Sequence, residues 1–224
     1  MNERRHVKIF FFGDSICFGQ GVAIHRGWVT RISASLSEAG AALGCEVTVT
    51  NASINGNTTR QALERMPYDI QSQYADILVV QFGMNDCNYW QTDGGNPRVS
   101  ARAFGANLEE IITRAFSFGV KKVLLNTNHP TARDRELMPH NSITYQQSNE
   151  RYNQVIRGVA AGCDRRVVLN DIEAAFGRYT GGSAEALLRL LLPDLLHLSE
   201  AGHNIYFDFV YPEVIKAVRE VAGR

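Results

Sequence analysis

Val7-Lys8-Ile9-Phe10-Phe11-Phe12-Gly13-Asp14-Ser15-Ile16 is the stretch from which the fold is read. A short, nearly continuous apolar run reads as a strand buried on both faces, and the glycine after it marks an abrupt turn. In an open α/β sheet, ligands bind outside the carboxyl ends of the strands, so Ser15 stands where an active site is expected. Two readings compete there. The serine is a nucleophile, or it is the N-cap of a helix, the commoner use of serine after a glycine turn.

Outward from this strand, short apolar runs alternate with longer segments of helical period. Strands are predicted at 7–12, 46–50, 77–82, 122–126 and 166–169, with the first of them central. Helices are predicted at 28–42, 59–74, 101–118, 148–161, 171–179, 184–192 and 200–222. Pro67 is expected to break or kink the second helix and Pro212 to interrupt the last. Alternating strands and helices with right-handed crossovers give an α/β fold, a three-layer α/β/α sandwich with a five-stranded parallel sheet. The flavodoxin-like strand order 2-1-3-4-5 is expected. Two loops exceed what the fold needs, 88–100 and 127–147, and both follow strands, so both should overhang the active-site edge.

A chain of 224 residues, 45% of them hydrophobic, can bury a full core as one domain over 1–224. Lys plus Arg balance Asp plus Glu at 23 each, and without a basic stripe no nucleic-acid partner is expected. No membrane span is visible, and the first apolar run is too short for a signal-peptide core, so a cytoplasmic location is expected. Cys17, Cys45, Cys87 and Cys163 form neither a CxxC pair nor a dense disulfide pattern and read as free thiols. Cys17 and Cys87 lie close to candidate site residues, yet a small buried hydrophobe is the stronger reading for each. No metal or other cofactor is expected, and nothing in the sequence sets an oligomeric state.

At the predicted strand ends the chain assembles a list with one chemical use. Gly13, Asp14 and Ser15 follow the first strand, 51–57 with Gly56 the second, and Gly83-Met84-Asn85-Asp86 the third. Asp194-Leu195-Leu196-His197 precedes the last helix. A serine hydroxyl attacks a carbonyl only if a base takes its proton, and histidine has the suitable pKa. His197 can be that base and Asp194 its orienting partner, because residues three apart in a turn or helix share a face. The Ser15 amide, the Gly56 amide and the Asn85 side chain are three candidate donors to a tetrahedral oxyanion. Each motif alone has a plainer use, as a turn glycine, a loop or a capping pair. Together and in this order they point to acyl transfer.

With these residues in view, the chain resembles the SGNH hydrolases, the GDSL-type esterases and lipases. The resemblance rests on Phe12-Gly13-Asp14-Ser15-Ile16, Asn51 with Gly56 and Thr59 of the second block, Gly83-Met84-Asn85-Asp86, and Asp194-Leu195-Leu196-His197. It runs nearly end to end in order and spacing. It implies catalytic Ser15, Asp194 and His197, an oxyanion hole of Ser15, Gly56 and Asn85, and a metal-independent mechanism. Leu195 departs from the family pattern, which often has glycine there. The motif is not the α/β-hydrolase elbow, since Cys17 stands where G-x-S-x-G needs its last glycine.

The resemblance implies a carboxylic ester hydrolase but not its substrate. Asp14, Tyr89, Trp90 and His129 are candidates for substrate contact. Gln20, Asn55, Asn57, Asn88, Gln91 and Asn128 are expected to make a polar rim, which favours a small acyl ester, acetyl first, on a carbohydrate or similar polar substrate. An O-acyltransferase to a sugar hydroxyl, a lysophospholipase or thioesterase, and a non-catalytic binding module are the alternatives.

Overall fold

The computed structural model describes residues 5–223. Its sheet has five parallel strands, β1 Arg5–Gly13, β2 Cys45–Asn51, β3 Ile77–Gln81, β4 Lys122–Asn126 and β5 Val167–Asn170, in the order β2-β1-β3-β4-β5. The predicted order holds, although the middle strand is β3 and not β1. β1 lies between β2 and β3, where the winding direction reverses, so its carboxyl end opens at the switch point of the sheet.

Alternation along β1 sends neighbouring side chains to opposite faces. Phe11 meets Trp28 of helix α2 (Trp28–Leu43) edge-on at 5.3 Å, and Trp28 in turn packs on Tyr206 of helix α8 (Glu200–Ala222) at 5.1 Å. Phe12 meets Phe82 at 5.2 Å on the other face, which is covered by α3 (Thr59–Asp69), α4 (Ala101–Ser117) and α5 (Tyr145–Gly162). Burying each such aromatic contributes about 1.5–3 kcal/mol. The indole N–H of Trp28 is not left bare; it donates to the Ile16 carbonyl at 2.9 Å. That bond ties the layer of α2 and α8 to the turn after β1.

Several boundaries differ from the sequence reading. A four-residue helix, α1 (Ser15–Phe18), follows β1 at once and ends on Gly19 in the left-handed region, φ 85°. α3 stops at Asp69, not at 74, two residues after Pro67, and a 3-10 turn at Gln71–Gln73 follows. α5 begins at Tyr145 because Thr144 and Gln147 form a reciprocal capping box. Helix α6 (Ile172–Thr180) matches its expectation, while α7 (Ala184–Arg189) ends early and gives way to a bridge between Leu191 and Leu198. α8 runs through Pro212 without a break. The proline removes the donor to the Asp208 carbonyl, and Asp208 is exposed, so water can replace it.

Candidate active site

Gly13 ends β1 opposite Gln81 of β3. A Cβ at this position would lie 2.6 Å from Cys17 Cβ and 2.7 Å from the Gln81 carbonyl oxygen, so only glycine lets α1 fold back tightly over the strand end. Asp14, not Ser15, is the N-cap of α1: its carboxylate accepts from the Ile16 amide at 3.0 Å. This corrects the capping reading of the serine. Ser15 is the first helical residue, so its own N–H has no acceptor within the helix and is free for another.

His197 Nε2 lies 3.0 Å from Ser15 Oγ, and His197 Nδ1 lies 2.5 Å from Asp194 Oδ2. The other oxygen of Asp194 accepts from the Leu196 and His197 amides at 3.0 and 2.9 Å. Burial opposes the charge on Asp194, but the His197 ring and these two amides outweigh it and hold the carboxyl below its ordinary value. The segment is a tight turn rather than a helix. Leu192 N donates to the His197 carbonyl at 2.7 Å, and Leu195 takes φ 63°, the left-handed conformation that glycine adopts without penalty.

Three consecutive carbonyls of this turn are held from outside. Arg133 Nε donates to Asp194 O at 2.9 Å, Ala132 N to Leu195 O at 3.0 Å, and His129 Nε2 to Leu196 O at 2.8 Å. The long segment after β4 therefore clamps the backbone that carries His197. His129 is fully buried, which corrects its candidacy for substrate contact, and burial pushes its imidazole down to about 3. It stays neutral and donates through Nε2.

Gly56 takes φ 78°, and the space where its Cβ would stand is open. The turn that holds it is fixed by Arg65, whose guanidinium donates to Asn57 Oδ1 at 2.8 Å, Ala52 O at 2.6 Å and Gly13 O at 3.2 Å and lies 4.4 Å over Phe12. The strand end and the Gly56 turn thus share one cation, a link that no local motif signalled. Asn85 Nδ2 donates to Asp14 Oδ2 at 3.4 Å. Asp14 is wholly buried, so it too is corrected from substrate contact to a support, and burial raises its carboxyl to about 7. Asp86, also buried and raised to about 6 chiefly by burial, accepts from the Thr59 amide at 2.9 Å at the start of α3.

Of the remaining candidates, Tyr89 is buried and pins its loop, whereas Trp90 is half exposed. Asn57 and Asn128 are buried and leave the expected polar rim; Asn55 and Gln91 are exposed, alongside the apolar Ile54 and Leu195. Cys17 and Cys87 are free and buried, and burial pushes both thiols up, away from nucleophilic thiolate. Among the described residues no group of three or more His, Cys, Asp or Glu could hold a metal ion, and no helix is long and apolar enough to cross a membrane.

Residues 11–205 match the model of the GDSL-like lipase/acylhydrolase family. An arylesterase from Vibrio mimicus is 28% identical over 123 residues, 55% of this chain and 56% of that protein. The chain thus matches little more than half the length of that relative. A solved lipase/acylhydrolase from Enterococcus faecalis is 26% identical with a TM-score of 0.73, over 94% of this chain and 96% of the other. A solved acetyl xylan esterase is 26% identical with a TM-score of 0.72, over 93% of this chain and 100% of the other.

Proposed function

The chain belongs to the GDSL-like lipase/acylhydrolase family, and from that premise we propose that it is a serine esterase cleaving a small acyl ester, acetyl first, from a carbohydrate or similarly polar alcohol. The observation that carries the proposal is the continuous hydrogen-bonded line from Ser15 Oγ through both ring nitrogens of His197 to Asp194, 3.0 and 2.5 Å.

In the proposed reaction Ser15 Oγ attacks the ester carbonyl while His197 Nε2 takes its proton. Asp194 holds the ring in the tautomer with hydrogen on Nδ1 and stabilises the imidazolium that forms. The carbonyl oxygen becomes an oxyanion and accepts from the Ser15 amide, the Gly56 amide and Asn85 Nδ2; each such donor is worth about 100-fold to 1,000-fold in rate. Collapse expels the alcohol, which leaves with the proton from His197. Water then attacks the acyl-enzyme with His197 again as base, releasing the acid and restoring Ser15.

Two features support the substrate class. The acetyl xylan esterase named above shares the fold over its whole length at 26% identity. The half-exposed Trp90, on the loop after β3, presents an aromatic face of the kind on which sugar rings stack. The test is a panel of p-nitrophenyl esters of graded chain length beside acetylated xylo-oligosaccharides, with a fluorophosphonate probe on wild type and Ser15→Ala. Fastest turnover on acetyl esters and labelling lost only in the variant are expected. A folded wild type that neither labels nor hydrolyses any ester sinks the proposal, and a preference for long chains sinks its substrate class.

A further inference from the structure

Arg98 stands at the end of the loop 88–100, outside every motif discussed above. Its amide donates to Asn88 O at 2.9 Å and the Val99 amide to Asp86 O at 3.1 Å, so the loop closes on itself and returns Arg98 to the residues that follow β3. From there one guanidinium nitrogen, Nη1, reaches two acceptors, the Gly56 carbonyl at 3.2 Å and Asn85 Oδ1 at 3.4 Å. The guanidinium carbon lies 4.1 Å over the Trp90 ring, which holds the planar group from the other side. Arg98 thus touches both the Gly56 turn and the Asn85 amide.

The contact with Asn85 has a directional consequence. A side-chain amide can turn over and exchange its oxygen for its nitrogen, and only the nitrogen can donate to an oxyanion. A guanidinium can pair only with the oxygen, while Asp14 Oδ2 accepts from the nitrogen on the far side at 3.4 Å. The Arg98 contact disfavours the turned-over amide, which would set one N–H donor against another and whose oxygen would face and repel the oxyanion. One hydrogen on Nδ2 is then occupied by Asp14 and the second is left for the substrate. A charged donor on Oδ1 also draws electron density from the amide and makes that second hydrogen a stronger donor.

We propose that Arg98 is a positioning residue of the oxyanion hole, holding the Asn85 amide in its donating orientation and tying it to the Gly56 turn; this rests on the oxyanion-hole reading given above. The test is a double-mutant cycle with R98M and N85A, with kcat and KM measured on p-nitrophenyl acetate and folding followed by melting temperature. R98M is expected to lower kcat about 10-fold to 100-fold, less than loss of a whole donor, with KM changed less than about threefold. In the N85A background the same substitution should cost several-fold less, because the amide it orients is gone. If R98M does not fold, the cycle is run with R98A, which likewise removes the donor to Asn85 Oδ1 and is read by the same outcomes. A folded R98M with wild-type kcat overturns the proposal. So does an equal loss in both backgrounds, or a loss confined to KM, either of which would place Arg98 against the substrate instead. Wild-type activity in N85A has a different meaning: it overturns the oxyanion-hole reading itself.

Discussion

Gly13→Ala puts one methyl group into space that is already filled. The new Cβ would stand 2.6 Å from Cys17 Cβ and 2.7 Å from the Gln81 carbonyl oxygen, where ordinary contact begins at 3.4 Å. Neither obstacle is the far end of a flexible side chain. One is fixed to the backbone of α1 and the other is the backbone of β3, so relief requires the two to part by about 0.8 Å. Forcing extra volume into a packed site costs roughly 1–3 kcal/mol, and this site belongs at the upper end because main-chain atoms must move. For a domain of this size that is a fall in melting temperature of roughly 6–12 °C. The element displaced carries Ser15, and a shift approaching 1 Å in a reacting group costs about 100-fold in rate. Gly158→Ala is the control: it lies exposed within α5 with no atom near its Cβ position, so it should be neutral or more stable by up to about 1 kcal/mol. Thermal melting and ester hydrolysis read both outcomes. A Gly13→Ala protein that melts within 2 °C of wild type (about 1 kcal/mol or less) and keeps its kcat would refute the close-approach argument.

Two further predictions concern buried ionisable groups. Asp14 is raised from 3.8 to about 7 by burial, so the folded chain holds a proton there that the unfolded chain has released, and the stability this group contributes below about pH 4 is lost as pH rises through 7. Asp14→Asn keeps the capping oxygen and removes the titration; relative to wild type it should gain about 3–4 kcal/mol between pH 4 and pH 8 in urea unfolding, and an equal difference at both pH values would contradict the burial argument. His129 titrates in the opposite sense: lowered from 6.5 to about 3 by burial, it supports the fold fully above pH 6.5 and progressively less as pH falls toward 3. His129→Ala strips the Leu196 carbonyl of its donor and leaves a void, a loss of about 3–5 kcal/mol at pH 7 that narrows on acidification, with hydrolysis reduced because the His197 turn is no longer clamped; unchanged stability and rate would show that the Ala132 and Arg133 contacts suffice.

The sheet was legible because β1, β3, β4 and β5 each carry a short apolar run that stops at a glycine, asparagine or glutamine, while β2 alternates Val47 and Val49 with Glu46, Thr48 and Thr50, and the strand ends place Ser15, Gly56 and Asn85 at one edge. The errors have a common origin in treating polarity as exposure. Asn57 and Asn128 read as a rim and His129 as a substrate contact, yet all three are buried against protein partners: Asn57 Oδ1 accepts from Arg65 Nε at 2.8 Å, the Asn128 amide donates to Asn153 Oδ1 at 2.7 Å, and His129 Nε2 donates to Leu196 O at 2.8 Å. A sequence does not say whether an asparagine meets water or another asparagine. The arginines were invisible for a related reason. Arg65, Arg98 and Arg133 act on carbonyls 13 to 61 residues away, and such contacts leave no period in the chain. The cap was misassigned within a single dipeptide, since aspartate and serine are equally good N-caps and only the backbone at Asp14 decides between them.

Ser15 and His197 are separated by 182 residues along the chain, although their side chains are 3.0 Å apart. All five strands lie before the segment carrying His197, so a chain can own a complete sheet and still hold a serine without a base. Closing a loop of that length costs conformational entropy before the contact it makes gives any return. The proposed chemistry therefore exists only while the C-terminal segment is docked, and it is lost when that segment works loose. The exposed Gly181-Gly182 turn between α6 and α7 separates the two contributors, which makes it the natural place to divide the protein into halves whose reunion turnover would report.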